Sequence, residues 1–97
     1  MHGPLKFDVV VWVKKTESFP SLRDELLGLA VHDVYESTES GGMIDFHWRF
    51  DSLKEAESVA EALSVLRDRP ELVLLRLSNY EDPDASITYK DVRDVRS

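Results

Sequence analysis

The sequence predicts an α+β fold, a four-stranded antiparallel sheet with two helices on one face. Three observations carry that expectation. From Ile44 to Phe50 apolar and polar residues alternate, with Ile44, Phe46, Trp48 and Phe50 on one side and Asp45, His47 and Arg49 on the other. That period of two marks a strand with one buried face. Leu53, Ala56, Val59, Ala60, Leu63 and Leu66 recur instead at spacings of three and four, as on an amphipathic helix. The elements that such patterns mark run strand, helix, strand, strand, helix, strand along the chain.

The first strand is expected over Leu5 to Lys14, where Phe7, Val9, Val11 and Val13 form one row and Asp8, Val10, Trp12 and Lys14 the other. A helix follows. Pro20 suits its first turn, Ser18 or Ser21 can cap it, Leu22, Leu26 and Leu29 line one face, and Gly28 is placed to end it. Val31 to Glu39 is the second strand, weakly alternating as an edge strand is. Gly41-Gly42 then suits a two-residue hairpin turn, which sets Tyr35 opposite Trp48, Glu36 opposite His47 and Thr38 opposite Asp45. Ser52-Leu53-Lys54-Glu55 is a capping box that opens the second helix, and Pro70 is the expected stop. Glu71 to Ser78 is the fourth strand, with Val73, Leu75 and Leu77 facing the helices and Leu72, Leu74 and Arg76 facing away. Asn79 to Asp84 is an acidic turn-rich loop, Ser86 to Lys90 a short fifth strand, and Asp91 to Ser97 a frayed tail.

The 97 residues are expected to form one domain, with a core over 5–78 and the loop, extra strand and tail over 79–97. This order of elements resembles the ferredoxin-like split βαβ arrangement, a likeness of topology over residues 5–78. Many unrelated functions share that arrangement, so function must be argued from a site.

Composition narrows the classes. The net charge is −7, and because phosphate contacts drive most nucleic-acid affinity, no nucleic-acid partner is expected. No apolar run reaches the roughly 18 residues that span a bilayer, so no membrane partner is expected. There is no cysteine, hence no disulfide framework and no thiolate metal site. Met1-His2-Gly3-Pro4 has neither the basic start nor the apolar run of a signal peptide, and the default location is cytoplasmic.

With both helices on one face, the other face is expected to carry Val10, Trp12, Asp45, His47, Arg49, Leu72, Leu74 and Arg76. An apolar patch centred on a tryptophan implies cover. Three covers are open: a second copy or protein partner, the C-terminal segment folding back through Ile87 and Tyr89, or a small molecule. His47, between Asp45 and Arg49 and opposite Glu36, is the one candidate for acid–base catalysis. It reads first as part of a surface ladder of opposite charges. His2 and His32 have no neighbour at metal-ligand spacing, and the acidic run Glu81 to Asp84 lacks the alternation and central glycine of a calcium loop. No metal or other cofactor is expected.

Other resemblances of topology are weaker. Ligand-sensing ACT-type domains usually carry a glycine where this chain has Lys15-Thr16-Glu17-Ser18. RNA-recognition domains put stacking aromatics on the open face of the third strand, where this chain has Asp45, His47 and Arg49. Dimeric α+β-barrel proteins, some of them enzymes, pair two such sheets around a cavity. That resemblance would place His47 and Trp12 on the cavity wall. The resulting expectation is a small soluble interaction or accessory domain with no assigned reaction, using its open face for self-association or a protein partner. The alternative is a dimeric α+β-barrel-like protein that binds or transforms a small molecule, with His47 as acid–base.

Overall fold

The computed structural model describes residues 6–92. Strand β1 (Phe7–Lys14) is central, flanked by β3 (Met43–Phe50) and β4 (Leu72–Asn79), with β2 (Glu36–Ser40) and β5 (Ile87–Asp91) at the two edges. All neighbours pair antiparallel, giving the order β2-β3-β1-β4-β5. Helices α1 (Phe19–Ala30) and α2 (Leu53–Leu63) join the strands. The protein is thus α+β as the sequence predicts, with the fifth strand added beside β4 to make five.

The alternating rows pack as their spacing requires. Phe7, Val9, Val11 and Val13 of β1 and Ile44, Phe46, Trp48 and Phe50 of β3 are buried in one core with Leu22 and Leu26 of α1 and Ala56, Val59, Ala60 and Leu63 of α2. Trp48 is fully enclosed, and its indole N–H donates to the His32 carbonyl at 3.2 Å. Between β2 and β3, Gly41 and Gly42 have φ of 60° and 76°, the left-handed pair that a tight hairpin turn demands. Glu36 therefore lies opposite His47 and Thr38 opposite Asp45. The Tyr35 amide donates to the His47 carbonyl at 2.7 Å and continues that register toward Trp48.

Several boundaries differ from expectation. Helix α1 runs past Gly28 to Ala30 and stops at Val31, which adopts φ of 61°. Ser18 is the N-cap residue, but its hydroxyl donates to the Glu71 carboxylate rather than capping the helix. Strand β2 starts at Glu36 instead of Val31, because the left-handed turn at Val31 interrupts any extended run. All five of its residues are exposed. Ser52 does cap α2, accepting from the Glu55 amide at 3.3 Å. That helix gives way after Leu63 to a 3₁₀ turn (Ser64–Leu66), well before Pro70, and the turn still carries Leu66 into the core. Leu53 stays exposed.

The main correction concerns β4. Pairing with β1 shifts between Trp12 and Val13, so Trp12 faces Leu74 while Val13 faces Leu72. The extra residue, Val73, reverses the alternation at that point. Leu72 consequently joins the core under the helices and is not on the open face, whereas Val73 is buried outside that core cluster.

Past β4, the Asn79 side-chain carbonyl accepts from the Glu81 and Asp82 amides at 3.0 Å each, and a 3₁₀ turn (Pro83–Ala85) leads into β5. Tyr89 packs against the core, near Glu57 and Glu61 of α2. β5 thus extends the sheet edge, and Ile87 and Tyr89 do not fold over the open face. Leu5, expected in β1, and residues 93–97 of the expected tail lie outside the described residues. Among those described, no helix is long and apolar enough to cross a membrane.

Candidate functional site

On the helix-free face, β1 presents Asp8, Val10 and Trp12. The register sets Arg49 and Ser78 beside Asp8, His47 and Arg76 beside Val10, and Asp45 and Leu74 beside Trp12. Of the residues expected there, Val10, Trp12, Asp45, His47, Arg49, Leu74 and Arg76 occupy that face and Leu72 does not. Leu74 is already 3% exposed in the single chain. The apolar part of the face is therefore smaller than Trp12 flanked by two leucines would make it.

The polar part is more organised than a surface ladder. Asp8 is buried. Its Oδ2 lies 2.9 Å from His47 Nδ1, accepts from the Tyr80 hydroxyl at 2.8 Å, and stands 3.8 Å from Arg49 Nε. The second ring nitrogen of His47, Nε2, is 3.1 Å from Asp45 Oδ2. Asp45 is held in turn through Oδ1, which accepts from the Thr38 amide at 3.0 Å. The Arg49 guanidinium carbon sits 4.6 Å from the centre of the Tyr35 ring, close enough for a cation–π contact. One buried carboxylate oxygen thus gathers groups from β3 and from the segment after β4.

Electrostatics follow from that geometry. Burial disfavours the imidazolium of His47, but the hydrogen bonds to Asp8 and Asp45 and their negative charge outweigh it, so its pKa is raised. Burial, then the bond to Asp8, pushes the Tyr80 phenol upward. A neutral imidazole has one N–H and one lone pair, so it can donate to only one carboxylate. The observed pair of contacts therefore suits the cation. With both nitrogens held by the protein, neither faces a substrate. His47 in this state is a charged bridge and not a free acid–base.

Hollows on the surface bear this out in part. One of about 350 Å³ is lined by Trp12, Thr38, Ser40, Gly41, Met43 and Asp45. Another of about 540 Å³ lies at the far end of β3, among His32, Tyr35, Trp48, Arg49, Phe50 and Glu55. His47 lines neither. The His32 ring stands edge-on to Phe50, with centroids 5.1 Å apart, and His2 is outside the described residues. Glu81 of the acidic loop pairs with Lys6 at 3.3 Å. Among the described residues, no group of three or more His, Asp or Glu has the geometry to hold a metal ion.

Sequence reasoning missed Asp8 and Tyr80. Asp8 had a legible signal, being an acid inside an otherwise apolar strand that the fold makes central. Tyr80 had none, since it sits in a loop whose path no periodicity fixes. Set against family models, curated proteins and solved structures, the chain matches none.

Proposed function

We propose that this chain is an interaction domain whose open sheet face seats a second copy of itself. The observation that carries the reading is the gathering of Trp12, Arg49, Arg76 and Tyr80 on one face, with Tyr35 at its edge. Tryptophan, tyrosine and arginine dominate the residues that supply most binding energy at protein interfaces. Here Arg49 and Tyr80 are also pinned by the buried Asp8, which reduces the side-chain entropy lost on association.

Charge distinguishes this face from the other. The five strands offer it Asp8, Glu36, Asp45 and Asp91 against Lys14, Arg49, Arg76 and a protonated His47, a balance. The helices carry Asp24, Glu25, Glu55, Glu57 and Glu61 against Arg23 and Lys54, so two copies meeting there would repel. Size is adequate. Three strands of eight residues and two of five give a face of about 540 Å², and covering two such faces removes about 1,100 Å² from water, just above the roughly 1,000 Å² that a specific interface needs.

Sedimentation of the wild type and of Trp12→Glu at high micromolar concentration tests the reading. A dimer that the substitution converts to a monomer is the expected result. A wild type that stays monomeric would sink it. The small-molecule alternative keeps one point in its favour, the hollow of about 350 Å³ beside Trp12. It requires His47 to release one of its two carboxylates before a ring nitrogen can reach a ligand.

A further inference from the structure

We propose that His47 is a proton-operated latch that sets where the Asp45 carboxylate lies relative to Trp12 on the open face. The bridge from Asp8 through His47 to Asp45 uses both ring nitrogens, at 2.9 and 3.1 Å. When Nε2 or Nδ1 gives its proton to solvent, a single N–H remains, and one carboxylate must then face a lone pair. Exposure decides which. The Asp8 side chain is 1% exposed and that of Asp45 is 26% exposed. Asp8 has no water to turn to, so it keeps the remaining N–H. Asp45 can turn into solvent about the bond it accepts from the Thr38 amide.

The groups around the ring agree with that outcome. Asp8 of β1 and Asp45 of β3 contact it, and Glu36 of β2 stands directly opposite. Arg49, two residues along β3, pairs with the same Asp8 oxygen, as does the Tyr80 hydroxyl. Arg76 of β4 lies across Val10. Asp8 thus keeps Arg49 and Tyr80 when the imidazolium is lost, while Asp45 loses the cation that pairs with it among the described residues. Because Asp45 shares a hollow with Trp12, Thr38 and Met43, its movement reshapes the wall beside the tryptophan. Against burial, the bonds to Asp8 and Asp45 and their charge raise the His47 pKa, so the change comes at higher pH than for an ordinary imidazole.

The effect on self-association rests on the function proposed above, whereas the movement of Asp45 does not. NMR titration from about pH 5.5 to 9 therefore reads the His47 ring nitrogens, the Thr38 amide and the Trp12 indole, and sedimentation follows the dimer over the same range. The expected result is that the Thr38 and Trp12 signals move with the His47 midpoint, and that the dimer weakens by about fivefold or more as the proton leaves. In His47→Gln both pH responses should vanish. Asp45→Asn serves as a second variant, in which the Trp12 response should vanish while His47 still titrates.

A His47 that titrates while Thr38 and Trp12 stay still overturns the latch, as does a response that persists in His47→Gln. A wild type monomeric at every pH removes the self-association reading and leaves the latch to be judged on the NMR signals. A dimer whose strength ignores pH, with Asp45 moving, overturns the coupling alone.

Discussion

Asp8 is buried, so its carboxylate relies on the His47, Tyr80 and Arg49 groups that meet Oδ2. Its other oxygen, Oδ1, is enclosed without a hydrogen bond from the described residues, which concentrates that dependence. Removing one member of a buried pair typically costs 3–5 kcal/mol through the charge left behind. His47 can shed its proton, so Asp8→Ala should cost about 3 kcal/mol, the low end of that range. Urea denaturation measures it, and a loss below about 1 kcal/mol would contradict the central place given to Asp8. Val31 is the opposite case. It is 81% exposed and holds φ of 61° at the end of α1. A left-handed β-branched residue is strained by about 1–2 kcal/mol, and glycine removes that strain at the expense of greater freedom in the unfolded chain. Val31→Gly should therefore stabilise the protein by about 1 kcal/mol, read as a rise in the urea midpoint at unchanged slope.

The β2–β3 hairpin is the element that aligns Glu36 with His47 and Thr38 with Asp45. An added Cβ at Gly42 would meet open space, so only its φ of 76° opposes a side chain there. Gly42→Ala should cost about 1 kcal/mol and weaken the Thr38–Asp45 bond first, visible as faster exchange of the Thr38 amide. Such elements were legible because their signals are local. The Gly-Gly turn fixed a register, the capping box fixed a helix start, and alternation in β1 and β3 fixed which side of each strand is buried. What stayed hidden depends on partners distant in sequence. The shift at Trp12/Val13 that turns Leu72 inward arises where two strands nearly sixty residues apart must fit one another. No pattern within β4 announces it. The same holds for Tyr80, which reaches Asp8 from 72 residues away. His47 was visible as a candidate, but its loss of free nitrogens follows only once Asp8 and Asp45 are placed on either side of it.

Summed over the molecule, these groups shape stability against pH. His47 has a folded pKa above its ordinary value, so it binds its proton more tightly when folded. Its contribution is complete below about pH 6.5 and is lost as pH rises through the folded-state value. Tyr80 and Tyr89 are raised chiefly by burial, and their contributions likewise fade as pH climbs from about 10 through their folded values. Glu71 has the other sign. The Ser18 hydroxyl holds its carboxyl low, so that stability is present above about pH 4.5 and is lost as pH falls through the folded value. Between these limits the molecule should be most stable near pH 5–6.5, the mildly acidic side of the range usual for proteins. Thermal unfolding at intervals from pH 4 to 9 tests this. The wild type should lose stability above about pH 6.5, and His47→Gln should be nearly flat from about pH 6 to 8, an interval that the Glu71, Tyr80 and Tyr89 contributions do not reach. A wild-type midpoint that rises across that interval would mean the imidazolium is not the form the fold prefers, and the bridge between Asp8 and Asp45 would have to be redrawn around a neutral ring.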